Sequence, residues 1–170
     1  MPSAFDEMTV APGVCRPGYE GVQRWLADTP REVLELRRAE AELLFRRTGI
    51  TFAVYGEADA EERIIPFDII PRVLTKTEWD RLALGLSQRV RAINAFLADL
   101  YGKAEIMKAG LIPADLIHRN PYFRPEMVGL RVPHDIRVMI AGIDIVRTDA
   151  DHFYVLEDNC RTPSGVSYML

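Results

Sequence analysis

Two short apolar runs, Arg137 to Arg147 and Phe153 to Arg161, carry polar residues that a strand built only for packing would not need. Asp144 stands in the first run, and Glu157 and Asn159 stand two apart in the second. Residues i and i+2 of a strand share a face, so Glu157 and Asn159 point the same way. The segment between the runs, Thr148 to His152, is polar and Asp-rich and reads as a hairpin turn. One parity of antiparallel pairing sets Asp144 across from Glu157 on that same face, and the other turns it away. In the first case two carboxylates and an amide oxygen converge. Such hard oxygen donors suit Mg²⁺.

Other residues offer chemistry with less definition. The segment Asn120 to Gly129 mixes two prolines, two aromatics, Arg124 and Glu126. Arg124 either pairs with Glu126 or holds a ligand. Behind the second run, Thr162-Pro-Ser-Gly-Val-Ser-Tyr168 is a small-residue loop whose backbone N–H groups are able to approach a phosphate or carboxylate closely. Asp6 with Glu7, and Asp68, read either as ligand-facing acids or as solvated ones. His118, His134 and His152 form no ligand spacing, and Cys15 and Cys160 form neither a CxxC motif nor a disulfide framework.

These residues need elements to position them. Residues 1–16 lack periodicity and read as an extended arm. A short helix is expected from Tyr19 to Ala27. A longer one starts after Thr29-Pro30 and ends at Gly49. Ile50 to Tyr55 and Ile64 to Ile70 read as strands around an acidic loop, with Pro66 and Pro71 confining the second to an edge or a bulge. Thr75 with Glu78 makes a capping box. Trp79, Leu82, Leu86, Ile93, Leu97 and Leu100 then recur at helical spacing until Gly102, a core-facing pattern. Short helices follow from Ala104 to Ala109 and from Pro113 to His118. The predicted class is α/β (α+β): a mixed, antiparallel-rich sheet containing the 136–159 hairpin, flanked by helices 30–48 and 76–101.

Bulk properties narrow the function. A chain of 170 residues, 48% hydrophobic, is long enough for one domain with a core. A net charge of −4 leaves no basic footprint, so nucleic acid is not an expected partner. No apolar run is long enough for a membrane span and the N-terminus has no secretory pattern, so a cytoplasmic protein without a membrane partner is expected. Nothing in the sequence speaks to oligomeric state.

Phe5-Asp-Glu-Met8, Ile64-Ile-Pro-Phe-Asp68, Phe123-Arg-Pro-Glu-Met127, Ala141-Gly-Ile-Asp144 and Glu157-Asp-Asn-Cys-Arg-Thr-Pro-Ser-Gly-Val-Ser-Tyr168 together resemble the circularly permuted ATP-grasp proteins of type 2. These bacterial proteins are related to the glutathionylspermidine synthetase-like ligases. The resemblance covers essentially the whole chain, in order. It implies an ADP-forming carboxylate–amine ligase, with ATP and Mg²⁺ as cofactors and a small-molecule or peptide carboxylate and amine as substrates. It also implies metal ligation by Asp144, Glu157 and Asn159. By similarity of position Arg161 contacts the γ-phosphate or the acyl phosphate; the alternative is a salt bridge to Asp158 or Asp149. Ser164, Gly165 and Arg124 fall to substrate or phosphate binding.

Two departures stand out. The synthetases carry an arginine two residues before the metal-binding aspartate, where this chain has Gly142, so Arg137, Arg147 or Arg161 takes its part or the substrate differs. No lysine follows Lys108, although the family's nucleotide-binding lysines come after the metal strands. Residues 1–170 are therefore expected to be the amino-terminal part of a longer domain, inactive alone. The competing expectation is a non-catalytic binding module on the same fold.

Overall fold

A computed structural model describes residues 5–52, 63–64, 67–163 and 166. The chain divides into two compact units, Met1–Thr75 and Lys76–Leu170.

In the first unit, β1 (Thr9–Ala11) and β2 (Val14–Cys15) form an antiparallel ribbon. Gly13 at φ 77° supplies the left-handed turn residue between them. Residues 9–15 are thus a small hairpin and not part of an extended arm. Asp6 shapes its entry, its Oδ1 accepting the N–H groups of Met8 and Thr9, while Glu7 pairs with Arg72. Helix α1 (Glu20–Asp28) ends where the Thr29 hydroxyl donates to the Trp25 carbonyl at 2.6 Å. Pro30 stands at the N-cap of α2 (Arg31–Thr48), and left-handed Gly49 closes that helix with its N–H on the Arg46 carbonyl. Buried Tyr19 anchors the unit, its hydroxyl accepting the Val73 N–H.

Strands β3 (Thr51–Phe52) and β4 (Arg63–Ile64) pair antiparallel, and the acidic loop expected between them, with Pro66, lies outside the described residues. The second strand was expected to continue to Ile70, but residues 67–70 are not strand. There the Asp68 carboxylate accepts the Ile70 N–H in a tight turn, an alternative to a ladder that a short acidic side chain offers its own backbone. Asp68 is exposed on that turn.

The second unit is built on α3 (Lys76–Leu100), which buries Leu82 and Leu100. Asp99 turns the chain into α4 (Glu105–Lys108), its two carboxylate oxygens accepting the N–H groups of Glu105 and Ile106. Helix α5 (Ala114–His118) and two single turns lead to the hairpin of β5 (Gly142–Arg147) and β6 (Phe153–Asn159). The first run was expected to be strand from Arg137, but pairing starts only at Gly142. The reason is Asn94 on α3. Its Oδ1 accepts the N–H groups of both Arg137 (2.7 Å) and Val138 (2.9 Å), and its Nδ2 reaches the Val138 carbonyl at 3.5 Å. Backbone groups held this way are not available to a ladder. The architecture is mixed helix and strand with small antiparallel sheets, as the sequence class requires.

Candidate metal and phosphate site

The β5–β6 ladder pairs Gly142 with Asn159, Ile143 with Asp158 and Asp144 with Glu157. After Asp144 the register shifts, Ile145 facing Val155, so that Leu156 is an extra residue. This β-bulge decides which side chains reach solvent. Phe153, Val155 and Asp158 are half-buried, whereas Tyr154, Leu156, Glu157 and Asn159 are exposed. In a regular strand Glu157 and Asn159 would share a face with Phe153 and Val155. The bulge reverses the alternation, so the apolar pair packs while the two polar residues stay on the open face. Asp144, directly across from Glu157, is exposed on that same face. Direct partners in an antiparallel pair hold their Cβ atoms about 5 Å apart.

Within the cluster, Asn159 Nδ2 donates to Glu157 Oε1 at 3.0 Å. That bond orients the amide, and among the described residues its oxygen and the second Glu157 oxygen have no hydrogen-bond donor. Two carboxylates and one amide fit a magnesium ion, which needs few protein donors because water and substrate phosphates complete its shell. No group of three or more His, Cys, Asp or Glu side chains gathers anywhere among the described residues.

The opposite face of the hairpin is clamped to α3. Arg89 grips Asp158 bidentately, Nε to Oδ1 at 2.7 Å and Nη2 to Oδ2 at 2.6 Å. The guanidinium beside it holds the Asp158 carboxyl below the usual carboxylate range, while burial pushes the Cys160 thiol up. Arg147, with its side chain only 4% exposed, donates to Glu78 at 2.6 Å and to the turn carbonyls of Asp149 and Ala150, and lies over the Phe153 ring. Asp149 accepts the N–H groups of Asp151 and His152 and contacts the His152 ring. Hydrogen bonding, first from Asp151 and then from His152, lowers its pKa. These contacts set the hairpin's position on the helix without using any group of the open face.

Each arginine considered as a phosphate ligand can now be placed. Arg147 is committed to Glu78 and the turn. Arg137 lies over the Tyr101 ring with Nη2 on the Leu130 carbonyl. Arg161 is exposed, and its guanidinium sits 5.2 Å from the centre of the Tyr122 ring. The salt bridges considered for it are not formed, because Asp158 belongs to Arg89 and Asp149 to His152. Arg124 and Glu126 are both exposed and form no ion pair among the described residues. Ser164 and Gly165 lie outside the described residues, but the chain just before them folds back over β5. A Cβ added to Gly142 would meet the Pro163 Cβ at 2.8 Å. The space that an arginine at position 142 would need is thus occupied by Pro163.

A cleft of about 550 Å³ lies between α3 and the first half of β6, where Leu86, Arg89, Phe153 and Val155 contribute to its walls. It includes none of Asp144, Glu157 and Asn159. Asn94, Arg89 and Leu156 were not singled out from the sequence. An asparagine beside the apolar positions Ile93 and Leu97 was the available signal for the first.

A family model described as a circularly permuted ATP-grasp matches residues 71–170, and the chain belongs to that family. An uncharacterised protein of Synechocystis sp. is 39% identical over 166 residues, covering 98% of this chain and 34% of the relative. One from Mycobacterium tuberculosis is 41% identical over 167 residues, covering 98% and 30%. A Frankia casuarinae protein with the provisional name glutamate–cysteine ligase 2-2 is 40% identical over 171 residues, covering 99% and 19%. The chain spans about a third of the length of the first two and about a fifth of the third. No helix among the described residues is long and apolar enough to cross a membrane.

Proposed function

We propose that these residues carry the metal-binding strands of an ATP-dependent carboxylate–amine ligase, acting in a protein of the relatives' length, of which they form the amino-terminal part. The observation that carries the reading is the pairing of Asp144 with Glu157 on the open face of the hairpin, with Asn159 bonded beside them. Family membership supports ATP and Mg²⁺ as cofactors and a small-molecule carboxylate and amine as substrates. The name of the Frankia relative belongs to the same reaction class. Its glutamate and cysteine are not carried over, because this chain covers a fifth of that protein.

In such a ligase the γ-phosphoryl group moves from ATP to a carboxylate oxygen, the β,γ bond breaking and ADP leaving. The amine then attacks the acyl carbon, phosphate departs, and the nitrogen loses a proton as the amide forms. Asp144, Glu157 and Asn159 would hold the magnesium, which when bound neutralises the crowded phosphate oxygens. Arg161, two residues beyond Asn159 and without an ion pair among the described residues, presents a planar fork of donors suited to the γ-phosphate or the acyl phosphate. Ser164, Gly165 and Arg124 are assigned to the substrate and phosphate loops.

The test is ADP release by the natural full-length protein with ATP, Mg²⁺ and a panel of amino acids as carboxylate and amine donors. Loss of release in Asp144→Asn and Glu157→Gln, with folding intact, is the expected result. Unchanged release in both variants would reject the assignment.

A further inference from the structure

Asp144, Glu157 and Asn159 stand at the open end of the hairpin, where Gly142 with Asn159 is the last pair of the ladder. The end of a two-stranded ladder opens more readily than its middle. Packing accounts for the other half of β6, since Phe153 and Val155 are half-buried along α3. Beyond the Leu156 bulge, β6 has no apolar side chain to bury. Its inward place, across from half-buried Ile143, belongs to Asp158, a carboxylate between the two polar residues of the open face.

Two phases are therefore open to this end of the strand. In one, Asp158 points inward and Glu157 and Asn159 outward; in the other the three exchange sides. Apolar burial does not choose between them, because none of the three is apolar. Arg89 does. Its Nε and Nη2 donate to the two Asp158 oxygens at 2.7 and 2.6 Å. Parallel bonds from one planar fork restrain a carboxylate in direction as well as in distance. Rotation of the strand end about its own axis, the motion that trades the faces, breaks both bonds. Further along the same helix Asn94 holds the N–H groups of Arg137 and Val138, so α3 also fixes the approach to β5.

We propose that Arg89 is a positioning residue for the metal face: through Asp158 it holds the end of β6 in the phase that presents Glu157 and Asn159 beside Asp144. Arg89 itself touches neither metal nor substrate in this role. The proposal rests on the reading of those three residues as metal ligands, but not on the reaction they serve.

Mn²⁺ alone, a paramagnetic stand-in for Mg²⁺, can be titrated onto the natural full-length protein and followed by water-proton relaxation without nucleotide. Arg89→Leu is expected to weaken its binding about fivefold or more. With 43% of its side chain exposed, Arg89 is replaced without a threat to the fold. Two double variants then supply the restraint by other means. Arg89→Asp with Asp158→Arg reverses the ion pair, and Arg89→Leu with Asp158→Leu puts an apolar contact in its place. Recovery to within about twofold of the parent affinity in at least one of them is the expected result. A merely structural tether predicts a lower melting temperature in Arg89→Leu with unchanged Mn²⁺ affinity, and that outcome would overturn the proposal. So would a loss that neither double variant recovers. The readings it rests on report separately. Unchanged Mn²⁺ binding in Asp144→Asn sinks the metal face itself, whereas weakening there with parent-like binding in Arg89→Leu sinks the positioning role alone. The expected Mn²⁺ pattern without ADP release sinks only the ligase reading.

Discussion

Asp144 and Glu157 face each other across the β5–β6 ladder at the last regular pair before the Leu156 bulge. The position of the bulge matters as much as the pairing. Upstream of it, odd-numbered residues of β6 pack against the rest of the unit; beyond it they look outward. The strand thus contributes Phe153 and Val155 to packing and Glu157 and Asn159 to solvent.

Deleting Leu156 should keep this arrangement. The strand then alternates regularly, with Phe153 and Val155 still inward and Glu157 and Asn159 still outward. The deletion is expected to retain Mg²⁺-dependent ADP release, and loss of release would show that the bulge itself is needed. Leu156→Thr, at a position 67% exposed, should change stability by less than about 0.5 kcal/mol. A circular dichroism melt of the substituted protein checks this.

Asn94→Leu should cost about 2–3 kcal/mol, because it leaves the Arg137 and Val138 N–H groups without their acceptor in a part-buried place. Denaturant unfolding measures the loss. Hydrogen exchange at Val138 should quicken in the same variant.

Arg147→Met removes the cation that joins Glu78 to the hairpin turn. Breaking one side of a pair this buried costs about 3 kcal/mol or more. A melting temperature unchanged within a degree or two would show that the hairpin does not depend on this clamp.

Acid should loosen the hairpin from α3. The Asp158 carboxyl is depressed by Arg89 in the folded state, so its contribution is present above the ordinary carboxylate pKa and is lost as pH falls through the folded value. Thermal stability is expected to drop below roughly pH 4, and Asp158→Asn should flatten that limb. The lowered Asp99 and Asp149 contribute to the same slope, with the same sign.

Gly142→Arg would set a long side chain against the Pro163 ring. With the Pro163 Cβ 2.8 Å from where a Cβ at 142 would stand, the 162–163 segment must move. Weaker substrate binding is expected, seen as a raised KM for the carboxylate.

The helices and the closing hairpin were largely legible because their signals are local. The α3 periodicity, the Gly49 stop and the turn-flanked runs each follow from side-chain spacing or backbone freedom. The shared face of Asp144, Glu157 and Asn159 was legible as one of two parities. What chose between them, the bulge, was not: Phe-Tyr-Val-Leu-Glu-Asp-Asn alternates acceptably on either side of Leu156. Asn94 and Arg89 act through partners 44 and 69 residues away, a separation no local pattern encodes. The early ribbon at 9–15 was missed because a strand of two or three residues has no period to read.

The most direct test of the account is Mg²⁺ dependence of ADP release by the natural full-length protein and its Asp144→Asn variant. The account predicts that the variant needs at least about tenfold more free Mg²⁺ for half-maximal release, or releases none, while unfolding like the parent. An identical Mg²⁺ curve for the two proteins would contradict it.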